Sequence, residues 1–157
     1  MWRLISVLVA ALIARAPLGA QGPSTTHEFR IDALASRQTA IELGASVIVP
    51  SGVYARTAFT AASGITRHGS ATSLAMRAEV ISRFLLDPFR ASPIGLSIGG
   101  GIGISNVAGG PGWRPYMAFV ADLELKRAGA LTPAIQLGLG GGVRAAVVLR
   151  SGTDRWR

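Results

Sequence analysis

IGLSIGGGIGI, residues 94–104, and its second version IQLGLGGGVRA, residues 135–145, decide how this chain folds. In both, every second position is a large aliphatic side chain until Gly100 and Gly141, and the positions between carry Gly, Ser, Gln or Arg. A period of two is the mark of a β-strand, whose successive side chains point to opposite faces. Each run is about ten residues long, close to the roughly 9 to 11 residues a tilted strand needs to cross a bilayer.

The same alternation extends outward in both directions. Ala40 to Val49 sets Ile41, Leu43, Val47 and Val49 against Glu42 and Ser46, and Gly52 to Ala61 sets Val53 and Phe59 against Tyr54 and Arg56. Thr72 to Leu86 sets Leu74, Met76, Val80 and Phe84 against Arg77, Glu79 and Arg83; its apolar residues recur at two rather than three and four, which excludes a helix. Pro115 to Lys126 alternates Met117, Phe119 and Leu123 with Tyr116, Asp122, Glu124 and Lys126. The second glycine run continues as one strand through Val143, Val147 and Leu149, with Arg144 and Arg150 opposite. His27 to Leu34 alternates more weakly and forms a possible first strand within a polar lead-in over residues 21–37, ahead of a β-domain over 38–157. Pro50-Ser51-Gly52, Asp87–Pro93 and Arg127–Thr132 read as turns, and 62–71 and 106–114 as longer polar loops.

Residues 1–20 have the three parts of a secretory signal peptide and are expected to be helical. Arg3 supplies the charge, Leu4 to Ala14 the apolar core, and Leu18-Gly19-Ala20 a small-residue cleavage site. The core is too short to span a bilayer as a helix. The 157-residue chain has no cysteine, which removes disulfides and thiolate chemistry. Its net charge of +8 comes from fifteen arginines and one lysine against eight acids. The arginines are scattered and lack interleaved aromatics, so nucleic acid is not the expected partner.

The fold class is therefore all-β, an antiparallel up-and-down meander barrel of about six to eight strands. The same alternation builds a soluble barrel with a greasy interior or a membrane barrel with a greasy exterior. Glycine faces such as Gly95, Gly99, Gly101 and Gly103 offer nothing to water and suit a crowded lumen. If the aliphatic faces meet lipid, the lumen collects Glu42, Arg56, Arg77, Glu79, Arg83, Asp122, Glu124, Lys126, Arg144 and Arg150 as a mutually paired network. Trp113 and Tyr116, where a loop meets a strand, are the expected interfacial anchors.

With its export signal, its alternating strands, Arg114-Pro115-Tyr116 opening a strand after a glycine loop, and the QLGLGGGVR segment, the chain resembles the small outer-membrane β-barrel proteins of bacteria. The resemblance implies eight strands, short periplasmic turns and longer external loops, and it spans nearly all of residues 27–150. The alternating runs number seven, so either the final strand is missing after Asp154-Arg155-Trp156-Arg157 or the barrel closes through residues assigned otherwise. The expected location is the outer membrane, with the periplasm as alternative. The expected partners are outer-membrane lipid and the barrel-insertion machinery.

The search for catalytic and binding chemistry yields little. The glycine clusters lack a following Gly-Lys-Ser/Thr and any G-x-G-x-x-G spacing. His27 and His68 are too far apart to suggest a metal site, and no cofactor is expected. His68 near Ser70 and Ser73 could head a lipid hydrolase at a barrel rim, but no orienting acid accompanies it. The expected function is a non-enzymatic membrane barrel with a structural or surface-interaction role. A soluble barrel binding an apolar ligand comes next, and the hydrolase last.

Overall fold

A computed structural model describes residues 25–87, 92, 94–126 and 129–151. It contains eight strands: β1 (Thr26–Ala35), β2 (Thr39–Pro50), β3 (Ala55–His68), β4 (Ala71–Leu85), β5 (Gly95–Val107), β6 (Arg114–Glu124), β7 (Leu131–Leu139) and β8 (Val143–Ser151). Each pairs antiparallel with the next, and β1 pairs with β8, so the meander closes into a barrel without a free edge. The proposed signal peptide, the start of the polar lead-in and the Asp154–Arg157 tail lie outside the described residues.

The strand missing from the sequence count is found inside the second glycine run. Gly140, Gly141 and Gly142 have φ of 139°, 69° and 151° and reverse the chain, so Leu139 pairs with Val143 across a three-residue turn. The amide of Gly140 donates to the carbonyl of Gly142 at 3.0 Å. One expected strand is thus the β7–β8 hairpin, and β8, not an absent strand, closes the barrel. In the first run, Gly99, Gly100 and Gly101 stay within β5. There the ring of Phe119 lies over Gly100, whose added Cβ would stand 3.4 Å from its Cδ1, and so covers the outward backbone that glycine leaves bare.

Two further expectations are corrected. Residues 62–71 are not a loop: β3 runs on to His68 and turns at Gly69, which has φ 60°. Glycine, serine and threonine look like loop formers there, but Gly64 and Thr66 face the crowded interior, where small side chains fit. The loop lengths also differ from expectation. One rim carries the connections 36–38, 69–70, 108–113 and 140–142; the other carries 51–54, 86–94 and 125–130 together with the outer ends of β1 and β8. The longest connection is on the second rim. The β1 segment, assigned to the lead-in, is a full member of the barrel and pairs on both sides.

Burial alternates along every strand. Phe29, Leu43, Phe59, Ile102, Met117, Leu137 and Val147 face outward and are exposed. Glu28, Asp32, Arg77, Asp122, Gln136 and Arg144 face inward and are buried. Small apolar clusters, Ile81 with Ala118 and Val120 and Ala134 with Ala146 and Val148, fill the interior between the polar groups.

The turn geometry separates two substitutions. An alanine Cβ at Gly141 would meet only the Tyr116 ring at 3.8 Å or beyond, so Gly141→Ala should cost only the left-handed backbone penalty, about 1 kcal/mol. At Gly140 it would lie 2.6 Å from the Met117 carbonyl, and Gly140→Ala should cost clearly more. Urea titration of both variants refolded in lipid vesicles measures the difference; equal losses would contradict the turn.

Candidate functional site

The candidate site is the barrel interior, where alternate residues of all eight strands converge. Twelve of these side chains are charged, and removal from water makes each one costly unless it is paired. The pairing falls into two halves along the barrel axis.

Toward the rim formed by the 36–38 and 140–142 turns, Arg30, Arg77 and Arg144 meet Asp32, Glu42 and Glu79. Arg30 grips Asp32 in bidentate fashion, at 2.8 Å from Nε and 2.7 Å from Nη2. Arg77 donates to Glu42 at 2.7 Å and to Asp32 at 2.8 Å, with Glu79 2.7 Å from its Nη1. Arg144 Nη1 reaches both oxygens of Glu79, at 2.7 and 2.8 Å. Toward the opposite rim, Arg56, Arg83 and Arg150 meet Glu28, Asp122 and Glu124. Glu28 accepts from Arg83 at 2.7 and 3.1 Å and from Arg150 at 2.7 Å. Arg150 also bonds Asp122, and Glu124 at 2.8 Å; Arg56 approaches Glu124 at 4.0 Å. Each half thus contains three guanidinium groups and three carboxylates, and the interior is formally neutral.

Gln136, with no exposed surface, joins the halves. Its Oε1 accepts from Arg30 at 2.7 Å and its Nε2 donates to Asp122 at 3.1 Å. An amide suits this position because it can receive from a cation on one side and donate to an anion on the other.

The inward glycines make room for these long side chains. A Cβ at Gly103 would stand 2.6 Å from the Tyr116 ring and 2.9 Å from Glu79 Cγ; at Gly44, 3.0 Å from Arg30 Cγ; at Gly138, 3.3 Å from Arg144 Nε. At Gly101 and Gly99 it would run into the backbone carbonyls of Val80 and Ser82 on β4. The glycine face and the arginine face are therefore two sides of one packing solution.

The structure brings Glu42, Arg77, Glu79, Arg83, Asp122 and Arg144 together in the interior, with Arg56 and Glu124 at one mouth. It also adds Glu28, Arg30, Asp32 and Gln136. The first three were visible as the polar side of the weak 27–34 alternation, and fall out of the expected set because that segment is placed outside the barrel. Two expected members are corrected. Lys126 lies beyond the end of β6, exposed, and takes no part. Tyr116 is not an interfacial anchor: its ring turns inward and its hydroxyl donates to Glu79 at 2.8 Å. Pro115 and Met117 take the outward positions beside it. Trp113 is exposed in the 108–113 connection.

The interior leaves little free space. A cavity of about 80 Å³ opens under the 36–38 and 140–142 turns, floored by Glu42, Arg77 and Tyr116. A second, of about 30 Å³, opens at the other mouth beside Arg56, Arg83 and Glu124. Each has room for a few waters. Between them stand the fully buried Asp32, Gln136 and Glu28. The interior is thus too polar and too full to be an apolar ligand pocket. At the rim, His68 is exposed with Nδ1 3.3 Å from the Arg37 carbonyl, and among the described residues no acid orients it. Among the described residues no cluster could hold a metal ion.

An eight-stranded antiparallel barrel with an apolar outside and a paired charged interior defines the class: it has the architecture of the small outer-membrane barrels. No family model matches the sequence, and no curated protein matches it. Among solved structures, the chain is similar to the N-terminal β-barrel domain of Pseudomonas aeruginosa OprF, with a TM-score of 0.62 at 10% identity over 83% of this chain and 98% of that one. It is also similar to Neisserial surface protein A, with a TM-score of 0.58 at 12% identity over 85% and 99% of the two chains. A de novo designed transmembrane β-barrel gives a TM-score of 0.52 at 12% identity, over 87% of this chain and all of the design. At such identities the likeness is one of fold.

Breaking the network from one side should be expensive. Glu28→Gln removes the charge facing Arg83 and Arg150 and should destabilise the barrel by about 3 to 5 kcal/mol. Gln136→Leu breaks two hydrogen bonds but leaves no net charge, and should cost about 1 to 3 kcal/mol. Equilibrium unfolding in lipid vesicles orders the two; a loss below about 1 kcal/mol for Glu28→Gln would mean a hydrated, surface-like lumen.

Proposed function

We propose that this protein is an outer-membrane β-barrel with a structural or surface-interaction role, that it performs no catalysis, and that its lumen is closed to solutes. The observation that carries this reading is the inversion of polarity. The outward positions of the strands are predominantly apolar and exposed around the whole circumference, while twelve charges are gathered inside and cancel one another. In water this arrangement would expose a continuous hydrocarbon belt; in a bilayer the same belt is solvated by lipid. Barrel closure completes the case, because every strand finds two neighbours and no backbone edge is left to hydrocarbon.

A sealed lumen follows from the plug of Arg30, Asp32, Gln136, Asp122 and Glu28, which separates the two small mouths. The absence of a catalytic role rests on the same network: the interior carboxylates are committed to arginines, and among the described residues no acid orients His68. The protein's partners on this reading are membrane lipid and, during assembly, the machinery that inserts barrels.

The full chain diluted from urea should gain strand circular dichroism only with phospholipid vesicles, and should then migrate differently on gels before and after boiling. A folded monomer in buffer alone would sink the membrane reading. Phe119→Arg, in the outward row at the middle of β6, should cost about 2 to 4 kcal/mol in vesicle unfolding titrations. In planar bilayers the inserted protein should show no steady conductance; a stable open level would refute the closed lumen.

A further inference from the structure

The interior pairs cancel, and the described cations that remain, Arg37, Arg67, Arg114 and Lys126, stand exposed outside that network. Part of this positive charge is concentrated on the rim that carries the 36–38 and 69–70 turns. Arg37 in the first turn and Arg67 and His68 beside the second are all exposed. The turns adjoin: Thr39 pairs with Arg67, and the His68 ring nitrogen lies 3.3 Å from the Arg37 carbonyl. Arg67 Nε donates to the Gly69 carbonyl at 3.1 Å, which fixes its guanidinium at the turn. On the same rim stands exposed Arg114. Among the described residues the carboxylates of this half of the barrel, Asp32, Glu42 and Glu79, are buried against Arg30, Arg77 and Arg144, so no acid neutralises the three arginines.

The position of Arg67 specifies the partner further. Along β3 it shares the outward face with Phe59 and Ile65, and it stands one step beyond Ile65, at the upper edge of the apolar belt. An arginine there can lay its stem on hydrocarbon and hold its head at headgroup level. From this we infer that the Arg37 and Arg67 rim is a docking surface for anionic, phosphate-bearing lipid headgroups of the leaflet it meets. The inference rests on the membrane reading above.

The test uses the full chain refolded and held in an uncharged detergent, titrated with phosphatidylglycerol or phosphatidylcholine and followed by native mass spectrometry. Wild type should bind phosphatidylglycerol in preference to phosphatidylcholine, and the preference should fall as salt rises. Each arginine near a charged surface contributes about fivefold, so Arg37→Gln with Arg67→Gln should weaken phosphatidylglycerol binding by roughly thirtyfold. Lys126→Gln, at the opposite rim, should leave it within about twofold. The heat-dependent gel shift of the double variant in phosphatidylcholine vesicles reports folding separately. If wild type never shows that shift, the membrane reading fails. If it does, and the double variant binds phosphatidylglycerol as well as wild type, or wild type binds both lipids alike, the docking surface is overturned.

Discussion

The structure depends on the mutual neutralisation of charge in a narrow lumen that is largely closed to water. Six arginines and six carboxylates are enclosed by the strands, and none could remain ionised there at acceptable cost without its counterpart. Their pairings link residues far apart in sequence, such as Glu28 with Arg150 and Arg77 with Asp32. The network therefore ties β1, β2, β4, β6 and β8 to one another across the lumen, in addition to the backbone ladders around the wall. A barrel solvated by lipid gains nothing from packing its outer face against water, so the polar interior and the closed ladder are what specify one arrangement.

Glycine makes this interior possible. A long side chain lying over the inner wall of a narrow barrel needs a neighbouring strand without side chains, and Gly44, Gly103 and Gly138, the cross-strand partners of Arg30, Tyr116 and Arg144, provide it. Elsewhere the same residue serves a different end. At Gly140, Gly141 and Gly142 it allows positive φ and turns the chain, whereas at Gly99 and Gly101 it stays extended and lets β4 and β5 approach.

That double use explains the main error in reading the strands. A three-residue turn preserves parity: Leu139 and Val143 are cross-strand partners, both facing out, and are four apart in sequence. Alternation consequently runs through the hairpin without a break, and one long strand and two short ones give the same pattern. The two-residue turn between His68 and Ala71 instead shifts the outward row from odd to even positions, and there the separate strands are visible. Parity also explains Tyr116. It shares the inward row with Ala118 and Asp122, but aromatic character beside a loop suggests a membrane interface unless the depth of Glu79 across the sheet is known.

By itself the sequence determined the period of two, the division of each strand into an apolar and a small or charged row, and most of the residues of the charged row. These are local properties, fixed by the alternation of side chains along an extended backbone. Only the tertiary structure decided the strand number, the membership of β1, the partner of each arginine and the role of Gln136. Those follow from closure and register, which set residues more than a hundred positions apart within 3 Å, as in Arg30 with Gln136, and no local pattern encodes a distance of that kind.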